Sequence, residues 1–129
     1  MRSEKVAEVV DLLSKKYACA EQEQNLRVCV ERHGVKTARE MGKRNLCQQE
    51  VTAMARCTQG LQRDPQKINQ LLAEKGLEGC PRSISELEDC IERHQGDMSK
   101  CKDQANQIME CAADYVLAKH ADDAPLFSE

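Results

Sequence analysis

The stretch Cys80 to Cys111 reads CPRSISELEDCIERHQGDMSKCKDQANQIMEC. Cys80 and Cys90 have nine residues between them, and Cys101 and Cys111 repeat that spacing. The same figure stands earlier in the chain as Cys19, Cys29, Cys47 and Cys57, so all 8 cysteines fall into the pattern. Ten residues of helix rise about 15 Å, and positions i, i+3, i+7 and i+10 follow the seam a neighbouring helix occupies. In the second unit one seam holds Cys80, Ile84, Leu87 and Cys90, and the other holds Cys101, Ala105, Ile108 and Cys111. The short stretch between Cys90 and Cys101 allows a helical hairpin, with the two helices antiparallel. Four cysteines allow three connectivities. The antiparallel register favours the nested one, Cys90–Cys101 with Cys80–Cys111, and by the same logic Cys29–Cys47 with Cys19–Cys57 in the first unit.

Each unit is too small to bury a self-sufficient core, so staples stand in for one. Each bridge adds up to ~3 kcal/mol, less for the second of a nested pair. Zinc is the competing use of clustered cysteines. Structural zinc sites bring two cysteines two to four residues apart, whereas cysteines separated by nine helical residues cannot share an ion. No metal ligand set and no cofactor site is expected.

Around this framework the chain reads as follows. Val6, Val9, Val10, Leu13 and Tyr17 recur at helical spacing behind a capping Ser3. The pattern fades over 20–25 and resumes at Leu26, with Gly34 after the helix end and Arg32 and His33 in its last turn. A connector over 35–44 precedes a longer helix carrying Cys47, Val51, Met54, Cys57 and Leu61. Asp64-Pro65 marks a new helix start, and Gly76 and Gly79 its end. Ser83 with Glu86 fits a capping box for the next helix, and Asp97 caps a last helix through about Lys119. The tail is expected to be extended, with Leu126 and Phe127 lacking an obvious place in the core. Cys29-Val-Glu-Arg-His33 matches Cys90-Ile-Glu-Arg-His94, and Leu26 and Leu87 each precede those cysteines by three, which makes the second half a copy of the first. The expected architecture is all-α: an N-terminal helix over 1–18, a first stapled hairpin over 19–61, a short linker helix over 62–79, a second stapled hairpin over 80–119 and an extended tail over 120–129.

Composition excludes several classes of function. Aromatic content is 2% and net charge is −3 with acids and bases interspersed, which offers neither the basic patch nor the stacking platform of a nucleic-acid binder. No stretch approaches the apolar length of a membrane span. The first seventeen residues are charged and include Glu4, Glu8 and Asp11, unlike a secretory signal or a mitochondrial presequence. Evenly spaced cysteines nonetheless ask for an oxidising compartment. No Cys-x-x-Cys, Cys-x-Cys or Cys-Cys pair marks a redox centre, and no phosphate loop or hydrolase motif is present. His33 and His94 read as basic residues at helix C-termini rather than ligands. His120 carries no signal of its own.

The twin Cys-x9-Cys hairpins resemble the CHCH (coiled-coil-helix–coiled-coil-helix) family over 19–57 and 80–111, and the tandem arrangement is similar to the double-CHCH accessory subunit of respiratory complex I. The resemblance implies residence in the mitochondrial intermembrane space, peripheral to the inner membrane, after import by a disulfide relay without a cleaved presequence. It implies a non-catalytic structural accessory subunit of a respiratory-chain complex, with the other subunits as partners, or alternatively a soluble assembly factor or metallochaperone of the same compartment. A redox enzyme is the third reading. Apolar residues flanking a cysteine resemble the docking signal read by the import oxidoreductase, with Leu87, Ile108 and Tyr115 as candidates. Val6, Val10, Leu13, Val116, Leu126 and Phe127 are the candidate partner surface, since apolar stripes outside a hairpin seam mark interaction sites.

Overall fold

The computed structural model describes residues 1–127, and every element in them is helical. Helix α1 spans Ser3–Leu13 and continues through one π-helical turn at Ser14–Ala18. Helices α2 (Ala20–Arg32) and α4 (Gln48–Gln62) form the first hairpin, with a short α3 (Ala38–Lys43) in the connector between them. Helix α5 spans Pro65–Gly76 and ends in a 3-10 turn at Leu77–Gly79. Helices α6 (Pro81–Arg93) and α7 (Lys102–Lys119) form the second hairpin, joined through a 3-10 turn at Met98–Cys101.

Local chemistry explains most of these boundaries. The Asp64 side chain accepts from the Lys67 amide ahead of Pro65, and Asp97 accepts from Ser99 at the turn of the second hairpin. Thr37 accepts from the Glu40 amide and starts α3, which gives the 35–44 connector a regular turn of its own. The capping box expected at Ser83 does not form. Pro81 already occupies the first helical position behind Cys80, so α6 begins three residues earlier than a Ser83 cap would set and Ser83 lies inside it. The faded pattern at 20–25 is helical too, because α2 starts at Ala20 directly after the π turn.

Both hairpins are stapled at two levels by nested bridges. Cys19–Cys57 and Cys29–Cys47 close the first, with Cα atoms 5.9 Å apart in each. Cys80–Cys111 and Cys90–Cys101 close the second, at 6.1 and 6.0 Å. The apolar interior divides in two. Leu26, Val30, Val35, Met41 and Met54 fill the first hairpin, with Leu126 and Phe127 of the tail packed against them. The second cluster unites Val9 and Leu13 of α1, Leu72 of α5, and Ala112, Ala113 and Val116 of α7.

That second cluster gives the N-terminal and linking helices a larger part than connection. Helix α5 joins the two hairpins and packs along α7, while α1 crosses both. Gly76 and Gly79 therefore do more than stop a helix. A Cβ at Gly76 would lie 2.6 Å from the Ala112 carbonyl oxygen, and one at Gly79 would lie 2.1 Å from the Tyr115 ring. The missing side chains let α5 and its 3-10 turn seat directly on α7.

Candidate functional site

Three groupings of side chains could carry chemistry: the cysteines, a polar cluster beneath the tail, and the apolar surface. All eight cysteines are consumed in the four bridges, and no thiol is free. Cys29, Cys47 and Glu50 bring ligand-type atoms within 4.8 Å of one another, but both sulfurs belong to one disulfide and are not thiolate donors. His33 and His94 are exposed and sit at the C-caps of α2 and α6, where the helix dipole accounts for a basic side chain.

The polar cluster is the feature that sequence reading missed. Tyr17 of the π turn, His120 at the end of α7 and Asp123 of the tail form a hydrogen-bonded chain. The Tyr17 hydroxyl lies 2.6 Å from His120 Nε2, and His120 Nδ1 lies 2.7 Å from Asp123 Oδ2. The carboxylate only accepts, so Nδ1 carries a proton, and in the neutral ring Nε2 then accepts from the Tyr17 hydroxyl. Lys16 reaches the same Asp123 oxygen at 3.0 Å. The His120 hydrogen bond first, and the Lys16 contact after it, hold the Asp123 carboxyl below its ordinary range. One turn further along the groove, Arg27 is paired with Glu23 at 3.0 Å and donates to the Ala124 carbonyl.

These contacts line a cavity of about 600 Å³ between the α1 end, α2 and the tail. They fasten residues 120–127 back onto the first hairpin, so that Leu126 and Phe127 cover Val30 and Val35. The sequence did contain a signal for this cluster. A His-x-x-Asp pair at a helix end can close on itself, and a Tyr on an apolar stripe needs a hydroxyl partner.

The apolar candidates separate into groups. Leu13 and Val116 are fully buried, and Val9 packs with them, so Leu13 and Val116 are core residues of the α1–α5–α7 cluster and not partner surface. Leu126 and Phe127 are half-buried under the tail's own contacts and are engaged within the chain. Val10 is half-buried, and Val6 alone of the group stands out, at 44% exposure. Among the docking candidates, Ile108 is buried on α7 and is closed to a receptor in the folded chain. Tyr115 lies against Gly79 and donates to Glu78 at 2.8 Å, a bond that raises its pKa. Leu87 is half-buried on α6 and keeps an accessible edge.

No family model, no curated protein and no solved structure matches this chain.

Proposed function

We propose that this chain is a non-catalytic structural subunit of a multi-protein assembly in the mitochondrial intermembrane space, with a respiratory-chain complex, and complex I first among them, as the assembly. The supporting observation is the use of every cysteine as an inter-helix staple in two tandem hairpins. Four bridges spent on rigidity leave no thiol for exchange, and they fit the twin Cys-x9-Cys framework that the CHCH resemblance implies. Polar side chains that could have formed a reactive centre are used instead to fasten the tail, through His120, Asp123, Lys16 and Arg27. A rigid, stapled scaffold suits a clamp between larger subunits, because binding then costs little ordering entropy.

Native electrophoresis of mitochondria expressing the tagged chain tests this reading. The expected result is steady co-migration with a mature respiratory complex. A chain found only in a free pool, or absent from mitochondria, overturns it, and a free intermembrane-space pool would direct attention to the soluble assembly-factor reading.

A further inference from the structure

The two hairpins are copies in sequence, yet they are covered differently. In the first, Leu26 and Val30 of α2 are buried beneath Val35, Met41 and the tail's Leu126 and Phe127. Their equivalents on α6, counted from the matching Cys29 and Cys90, are Leu87 and Ile91. Both remain half-buried, as does Ile84 one turn earlier, and none of the three joins either apolar cluster among the described residues. Beyond α7, helix α6 packs mainly on the two short 3-10 turns. The short turn that replaces the 35–44 connector supplies no lid, and its Met98 is itself 52% exposed.

Charge says what kind of segment would complete this face. In the first hairpin the position one after Leu26 is Arg27, which grips the acidic tail through the Ala124 carbonyl beside Asp122 and Asp123. The equivalent position on α6 is Glu88. Glu88 stands four residues from Ile84 and three from Ile91, with Glu92 one further turn along, so both acids edge the apolar stripe. Neither carboxylate has an ion-pair partner among the described residues. The repeat therefore keeps Leu87 and Ile91 of the apolar seat and reverses the charge at the Arg27 position, while Glu92 repeats Glu31. A second copy of this chain fits poorly, since its tail is acidic and a face-to-face contact would oppose Glu88 and Glu92 to their own kind.

We propose that the face of α6 built on Ile84, Leu87 and Ile91, and edged by Glu88 and Glu92, seats a basic, apolar-bearing segment of a partner subunit, as the first hairpin seats the chain's own acidic tail. This rests on the reading of the chain as a subunit of a larger assembly and adds the surface and the chemistry of the neighbour. The cationic side chains of that segment meet Glu88 and Glu92, and its apolar side chains cover the half-buried Ile84, Leu87 and Ile91. Electrostatic complementarity of this kind selects the partner and fixes its register.

Two experiments on the full chain decide it. The first titrates isotope-labelled protein, at low salt, with a peptide copy of residues 119–127 in which lysine replaces Asp122 and Asp123, and separately with the unaltered copy. The expected result is amide shifts at Ile84, Leu87 and Ile91 with the lysine peptide and at least tenfold weaker binding of the acidic one. The surface variant Glu88→Lys/Glu92→Lys, whose exposed positions leave the fold intact, should reverse that preference. Equal binding of both peptides, an unreversed preference, or shifts confined to the first hairpin would overturn the proposal. The second places a photo-crosslinking phenylalanine analogue at position 91 in mitochondria, and the attached peptide is sequenced. A lysine- or arginine-rich segment of another subunit is expected. Attachment to an acidic segment, to a second copy of this chain, or to nothing while the chain still co-migrates with its complex sinks the proposal and leaves the subunit reading standing.

Discussion

Asp123 shows how a single carboxylate decides where the tail lies. It receives His120 Nδ1–H at 2.7 Å and Lys16 Nζ at 3.0 Å, and these contacts lower its pKa from the usual aspartate value. A carboxyl whose folded pKa is depressed stabilises the folded arrangement above its unfolded pKa, near ~3.9, and loses that contribution as pH falls through the folded value. Attachment of residues 121–127 should therefore hold through neutral and mildly acidic pH and loosen below about pH 4. Hydrogen exchange of the tail amides measures this, with Asp123→Asn as the comparison. The variant is expected to exchange faster at neutral pH and to show little further change on acidification. A tail whose exchange is identical in the two proteins would mean that Leu126 and Phe127 hold it without the latch. The His120–Asp123 half of the latch was legible as a His-x-x-Asp pair, but its anchor was not, because Tyr17 lies 103 residues away. By contrast, Asp64 and Asp97 were legible as caps because a cap and the amides that donate to it are neighbours in the chain.

At the scale of elements, the cysteine spacing specified the hairpins, since a bridge at each end of a seam admits only one antiparallel register. Periodicity could not specify what α1 packs against. Val9 and Leu13 would read the same on an exposed stripe and in a core, and only the tertiary arrangement places Leu13 at 0% exposure between α5 and α7. Two predictions follow from that placement. Leu13→Ala should cost about 3 kcal/mol, within the usual range for a buried leucine whose cavity cannot fully close, read as a lowered denaturation midpoint in urea at unchanged slope. Val6→Ala on the exposed side of the same helix is expected to change the midpoint little. Gly79→Ala should cost about 1–3 kcal/mol, because the added methyl drives into the Tyr115 ring and α7 must give way. Thermal unfolding checks it against Gly60→Ala, where open space surrounds the added carbon. A cost at Gly60 equal to that at Gly79 would remove the close-approach explanation.

The whole molecule is organised less by its two disulfide units than by the helix that spans them. Helix α1 leads through the π turn into the first hairpin, yet its apolar face completes the second cluster, and its Lys5 reaches Glu110 on α7 at 3.3 Å. The staples explain why each hairpin holds its shape, but the cluster of Leu72, Ala112, Ala113 and Val116 lies outside them, between α5 and α7, and Val9 and Leu13 of α1 complete it from the far end of the sequence. Residues 62–129 made alone, fully oxidised, should therefore keep helical hairpin structure but expose that face. The fragment is expected to bind a hydrophobic dye and to unfold with low cooperativity, as a chain does when its secondary structure persists without fixed packing. Adding a peptide of residues 1–18 should restore cooperative unfolding and displace the dye, and the same peptide carrying Leu13→Asp should do neither, since a carboxylate at a fully buried position has no partner there. A fragment that is already cooperative and silent to the dye would show that α5 and α7 close the cluster by themselves. The two hairpins would then be independent beads on a string rather than one body locked by its N-terminal helix.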